Sequence, residues 1–166
     1  MTDIVLIAHD IRSTHNIGSL LRTAEGLGVH KVYFSGYTPY PAHANDERLP
    51  HMAGKISRQI AKTALGAEEL VEWECVDDVV ALLHRLQEEG YTVCALEQCD
   101  ASLPLPQFKV PRKVAILLGR EVEGIDAELL ALCDKTLEIP MFGKKESFNV
   151  VQAAAMVLYH CRFSEN

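Results

Sequence analysis

Short apolar runs alternate with helix-spaced segments along the whole chain, and this alternation limits the fold more than any other feature. Residues 4–8 (IVLIA), 31–35 (KVYFS), 71–76, 91–96, 113–118 (KVAILL) and 136–139 read as strands. The strongest of them are apolar throughout rather than at every second position, the pattern of strands buried on both faces. Between them lie segments with helical spacing. Residues 19–27 carry Leu20, Leu21, Ala24 and Leu27, and Gly28 stops them. Residues 55–65 read as a short helix. Residues 79–89 follow two capping acids, Asp77 and Asp78, and end at Gly90. Residues 127–133 follow Asp126, and 148–162 form a last helix that Ser147 can cap, with Asn149 in its first turn. Strands alternating with helices predict an α/β fold, a parallel sheet with helices on both faces. Segment 36–54 holds Pro39, Pro41 and Pro50 and reads as a long loop; 97–112 holds Pro104, Pro106 and Pro111 and reads as irregular. There is no repeat, linker or low-complexity tract, so 1–166 is expected to be a single domain.

Composition excludes several classes. The N-terminal segment starts with an acid and has only a short apolar run, so it does not read as a signal peptide. No stretch reaches the roughly 18 apolar residues of a membrane span. A cytoplasmic protein with no membrane partner is expected. The five cysteines form no C-x-x-C pair and read as reduced thiols, several of them buried. The histidines lack H-E-x-x-H spacing, and no metal is expected. The net charge of −7 argues against a large basic face for nonspecific nucleic-acid binding, though not against a local patch.

In a parallel sheet, ligands sit beyond the carboxyl ends of the strands. Three distinctive segments fall there. In 16–24 (NIGSLLRTA), Asn16 and Gly18 stand at a helix entrance, where free N–H groups can meet an anion or polar ligand. Arg22 lies six residues past Asn16 and offers a planar fork suited to phosphate. Taken alone, the same residues read first as a capping asparagine and a solvated or ion-paired arginine. Segment 117–125 (LLGREVEGI) is a strand end and glycine turn in which Glu121 can accept hydrogen bonds; it also reads as an ordinary turn with solvated acids. Segment 139–155 (IPMFGKKESFNVVQAAA) bends at Pro140, loosens at Gly143 and enters the last helix, whose alanines suit close packing or a close ligand. Other signals are weaker. Gly26-x-Gly28 follows a helix rather than a strand, no Walker loop exists, and a Ser147–His160 nucleophile pair lacks a G-x-S-x-G elbow.

Together these segments resemble the SpoU/TrmH class of SPOUT methyltransferases, whose motifs run N-x-G-x-x-x-R-T-A, L-G-x-E-x-x-G-I and I-P-M-x-G-x-x-x-S-x-N-V-x-x-A in this order. They match at 16–24, 118–125 and 139–153, and the resemblance spans essentially the whole chain as a bare catalytic domain. It implies a parallel sheet with a C-terminal trefoil knot. It implies S-adenosylmethionine as cofactor, becoming S-adenosylhomocysteine, and no metal. It implies an RNA substrate, tRNA or rRNA, methylated on a ribose 2′-hydroxyl, and a homodimer with the active site at the interface. By resemblance the cofactor contacts are Leu96, Glu97, Gly119, Ile139, Met141, Ser147 and Phe148. Arg22 would serve the ribose across the interface, with Asn16, Glu121, Ser147 and Asn149 shaping the site. One departure stands out: many members have S-L-N-V-S where this chain has Ser147-Phe148-Asn149-Val150-Val151, so a second serine is lost. Local charge for RNA would come from Arg12, Arg22, Lys144 and Lys145 beside the motifs and from Lys55, Arg58 and Lys62 on one predicted helix, each of which also reads as a solvated surface side chain. Two other readings stay open: a non-catalytic RNA- or cofactor-binding member of the fold, and a generic nucleotide-binding α/β domain.

Overall fold

A computed structural model describes residues 1–164. Seven strands form one sheet in the order β3-β2-β1-β6-β4-β7-β5, and every neighbouring pair is parallel. The strands are β1 (Asp3–His9), β2 (Lys31–Ser35), β3 (Trp73–Val76), β4 (Thr92–Leu96), β5 (Leu103–Pro104), β6 (Lys113–Leu118) and β7 (Lys135–Glu138). The helices are α1 (Thr14–Gly26), α2 (Pro50–Ala64), α3 (Ala67–Leu70), α4 (Val79–Glu88), α5 (Ala127–Leu132) and α6 (Val150–Phe163). The central strands β1, β6 and β4 are the apolar ones because helices cover both faces. Ile4, Leu6, Val114 and Ile116 point toward α1, α2 and α6, while Val5, Ile7, Ala115 and Leu117 point toward α4 and α5.

Four sequence expectations are corrected. The first helix starts at Thr14, not at 19, because Ser13 caps it by accepting from the Asn16 N–H at 3.2 Å. Its polar first turn carries no apolar periodicity to announce it. The loop expected to reach residue 54 stops before Pro50, which opens α2 at a position where its missing N–H costs nothing. Segment 97–112 is not wholly irregular: it adds the two-residue strand β5 at the sheet edge and a 3-10 turn at Leu105–Gln107. The last helix is capped by Asn149, whose side chain accepts from the Val151 N–H at 2.9 Å, and not by Ser147.

Helix α1 is the hub. Leu20 and Leu21 are fully buried, and truncating either to alanine would cost about 2–5 kcal/mol. Gly18 faces α2 so closely that a Cβ would meet the Ile60 carbonyl oxygen at 2.2 Å. This glycine therefore serves helix packing, not the ligand contact that its place in the motif suggests. Arg162 ties α6 to α1 and β1, donating to the carbonyls of Leu27 (2.8 Å), Thr2 (2.7 Å) and Gly28 (2.6 Å). Two of these acceptors, Leu27 and Gly28, lie just past the end of α1. Cys94 and Cys161 are buried, and burial pushes both thiols up to about 12. Among the described residues no helix is long and apolar enough to cross a membrane, and no group of acidic, histidine or cysteine side chains is arranged to hold a metal.

Candidate functional site

The carboxyl ends of β4, β6 and β7 open into a cavity of about 500 Å³. Leu96, Leu118, Leu137 and Ile139 form its apolar floor where the strands end, and Phe148 from the loop before α6 and Val150 at the start of α6 close it. Six of the seven sequence-predicted cofactor residues line it: Leu96, Glu97, Gly119, Ile139, Ser147 and Phe148. Met141 is half-buried on the same loop but is not part of the lining. Gly119 has to be glycine, because a Cβ would lie 2.9 Å from the Gly124 backbone and 2.5 Å from the Ile125 side chain. That approach follows from the tight turn in which Arg120 and Gly124 exchange backbone hydrogen bonds of 3.3 and 3.2 Å. Glu97 pins this turn by accepting from the Ile125 N–H at 2.9 Å.

The lining is acidic. Glu97, Glu121, Glu123, Glu138 and Glu146 contribute carboxylates, against a single arginine, Arg120, which is ion-paired with Asp126. Glu138 accepts from the Ser102 hydroxyl at 2.7 Å, which fixes its orientation. Such a lining attracts a cationic ligand and repels polyphosphate. Sequence reasoning missed Gln98, Glu123 and Glu138. Their signal was position alone, since each lies within a few residues of a strand end.

The three motifs meet at the cavity mouth. Asn16 sits in the first turn of α1 and donates from Nδ2 to Glu121 Oε1 at 3.1 Å. The Glu121 carboxylate also accepts from the backbone N–H groups of Arg12 and Ser13, each at 3.4 Å. A carboxylate there is favoured by the free N–H groups and positive end of α1. Asn149 Nδ2 reaches Asn16 Oδ1 at 3.5 Å. Ser147 is exposed on the lining and its hydroxyl makes no hydrogen bond among the described residues. His160, its conceivable nucleophilic partner, is instead engaged by its ring nitrogen with the Phe108 carbonyl at 2.9 Å.

Arg22 is placed differently. It is exposed on α1, does not line the cavity and has neither hydrogen bond nor ion pair among the described residues. Six residues of helix move it about 9 Å along the axis from Asn16 and turn it by about 120°. The other expected RNA contacts, Arg12, Lys55, Arg58, Lys62, Lys144 and Lys145, are exposed as well, the α2 trio at helical spacing.

A family model described as the SpoU rRNA Methylase family matches residues 3–159. The chain is 28% identical over 160 residues to the tRNA (guanosine(18)-2'-O)-methyltransferase of Escherichia coli (strain K12), covering 96% of this chain and 63% of that protein. It is 31% identical over 159 residues to the 23S rRNA (guanosine-2'-O-)-methyltransferase RlmB of Neisseria meningitidis serogroup B, covering 96% of this chain and 58% of that one. The chain thus spans less than two thirds of these relatives. Among solved structures, the A. aeolicus TrmH/SpoU tRNA modifying enzyme shares the fold, with a TM-score of 0.80 at 23% identity over 98% of this chain and 75% of that chain.

Proposed function

The chain belongs to the SpoU rRNA methylase family, and on that premise we propose that it is an S-adenosylmethionine-dependent methyltransferase acting on a ribose 2′-hydroxyl of tRNA or rRNA. The observation that carries this reading is the union of Asn16, Glu121 and Asn149 at the mouth of an acidic, apolar-floored cavity. S-adenosylmethionine fits that lining. Its sulfonium and ammonium groups match the carboxylates, its adenosine matches the leucine and phenylalanine walls, and the volume lies in the range of small-molecule sites. The same carboxylates disfavour ATP or NAD. Leu96, Glu97, Gly119, Ile139, Met141, Ser147 and Phe148 are the proposed holders.

The cofactor supplies a methyl group already activated on sulfur. The protein then has to hold the ribose hydroxyl in line and accommodate the charge that develops on its oxygen. Arg22 is the proposed residue for that charge. Its guanidinium stabilises the developing alkoxide electrostatically, alone or with a substrate phosphate. Asn16, Glu121, Ser147 and Asn149 shape the pocket around the ribose.

A homodimer brings Arg22 to a cavity. The separation of Arg22 from the cavity of its own chain supports this, and so does an apolar groove between the 3-10 turn and α6. Met156, Tyr159 and Phe163 line that groove, with Tyr159 60% and Phe163 62% exposed. A second copy of the chain is the proposed cover. The strand order, with β6 inserted between β1 and β4 and β7 between β4 and β5, supports a C-terminal trefoil knot. We take residues 1–166 as one catalytic domain acting in the cytoplasm. RNA would be met by Arg12, Lys55, Arg58, Lys62, Lys144 and Lys145.

The test uses the purified chain, S-adenosylmethionine with a tritiated methyl group, and total RNA. The expected product is label in 2′-O-methyl nucleosides of tRNA or rRNA. Binding of S-adenosylhomocysteine without transfer to any RNA would make the chain a non-catalytic binder. Preference for ATP or NAD over S-adenosylhomocysteine would remove the reading altogether.

A further inference from the structure

Beside the cavity mouth lies an aromatic–guanidinium pair that the three motifs leave unused. Tyr37 lies two residues past the end of β2 and is 48% exposed, and it belongs to neither half of the core. The Arg12 guanidinium carbon lies 5.3 Å from the centre of its ring. Arg12 is itself exposed, and its backbone N–H donates to Glu121, the residue that joins the motifs. The pair therefore borders the place where the ribose is proposed to sit.

Tyr37 is held from below. Its N–H donates to Asp10 Oδ1 at 3.1 Å. Among the described residues Asp10 is one of two non-glycine residues with a left-handed backbone, at φ 56°, so the chain accepts a strained conformation where this carboxylate is held. The other Asp10 oxygen lies 3.4 Å from His9 Nε2, and His9 Nδ1 lies 2.8 Å from Ser35 Oγ. Ser35 and His9 end β2 and β1, so this relay fixes the tyrosine backbone to the sheet. An exposed tyrosine with a fixed backbone loses little freedom on meeting a ligand.

We infer that Tyr37 and Arg12 form a nucleotide subsite, in which an unpaired base of the RNA stacks on the tyrosine ring while the arginine meets its phosphate. Unpaired bases are the usual targets of RNA recognition, and aromatic rings with arginine forks are what they stack upon. With nearly half of the residue exposed, ring surface remains for a second π partner. The site suits an acidic protein, since stacking supplies affinity that does not depend on a broad basic face. This inference rests on the methyltransferase reading and names the part of the substrate that the domain grips.

The test compares Tyr37→Ala, Tyr37→Phe and Arg12→Ala by filter binding of labelled total RNA across a salt series, and by methyl transfer. Tyr37→Ala should weaken RNA binding and raise KM about tenfold, with kcat within about twofold and an unchanged salt slope. Tyr37→Phe, which keeps the ring, should stay within about twofold of the parent. Arg12→Ala should lower the magnitude of the salt slope by about one. S-adenosylhomocysteine affinity and melting temperature should not move in any variant. RNA binding by Tyr37→Ala equal to the parent overturns the subsite and leaves the methyltransferase reading standing, as does an equal loss in Tyr37→Phe. If the parent binds RNA but transfers no methyl group, a tenfold loss in Tyr37→Ala keeps the subsite while the reaction fails. A parent that neither binds nor methylates RNA overturns both.

Discussion

The cavity mouth and the outer face of α1 draw on the same motif, yet they end in opposite states. At the mouth, Asn16 and Asn149 are hydrogen-bonded into one set with Glu121, and each strand end below adds a wall to the cavity. Six residues further along the helix, Arg22 stands in solvent with no hydrogen bond or ion pair among the described residues. A charged side chain kept free of local partners is available to something outside the chain. The first region is assembled from residues of one copy of the protein, whereas Arg22 lies apart from it. That difference underlies the proposal of a shared site.

The sharpest way to break the comparison is Arg22→Ala. Methyl transfer should fall by about 100- to 1,000-fold, the scale of losing one preorganised stabiliser of developing negative charge. Binding of S-adenosylhomocysteine, measured by calorimetry, should stay within about twofold. A parallel loss of cofactor affinity would mean that Arg22 serves the cavity after all. The reciprocal variant is Ala153→Phe, which pushes a ring into the lining. It should reduce cofactor affinity by about tenfold or more through overpacking of the site, while circular dichroism stays native.

Intermediate effects test the dimer. Tyr159→Glu with Phe163→Glu places like charges on the exposed groove of α6, where the two rings now pack at 4.6 Å. Sedimentation should then report a monomer at micromolar concentration, with activity reduced about tenfold or more and cofactor binding retained. Full activity in a demonstrably monomeric variant would return Arg22 to its own cavity. The smallest effect belongs to Asn149→Ala. Loss of its cap to the Val151 N–H should cost about 1 kcal/mol, or about 2–4 °C of melting temperature, on top of its effect on turnover.

The same two regions differ in how far they could be read from sequence. Strands such as 31–35 and 113–118 match β2 and β6 because burial on both faces makes successive positions apolar, Val32 to Phe34 in one and Val114 to Leu118 in the other. The first turn of α1 was invisible because Thr14, His15 and Asn16 carry no apolar period, and the Ser13 cap is a local hydrogen bond. Pro50 read as a breaker although it is tolerated at a helix start. Strand β5 is two residues long and includes a proline, too short for any period to register. In the site, position at strand ends and the motif resemblance located the lining, but its acidic character emerges only when Glu97, Glu121, Glu123, Glu138 and Glu146 are folded together. Gly18 shows the converse: a motif glycine that looks like a ligand contact serves the packing of α1 on α2.

The central claim is that one copy supplies the cavity and the other supplies the arginine, and a mixed dimer tests it most directly. Arg22→Ala and Ala153→Phe, each strongly impaired alone when S-adenosylmethionine is kept well below saturation, are co-expressed with different tags. If Arg22 acts across the interface, each heterodimer holds one site with an intact cavity and an intact arginine. Purified heterodimer should then recover about half the methyl transfer of the parent dimer, and an unpurified equal mixture about a quarter. If both catalytic parts belong to the same chain, the Arg22→Ala subunit lacks the arginine and the Ala153→Phe subunit lacks a working cavity. The heterodimer would then be as impaired as its two parents, and the shared site would be contradicted.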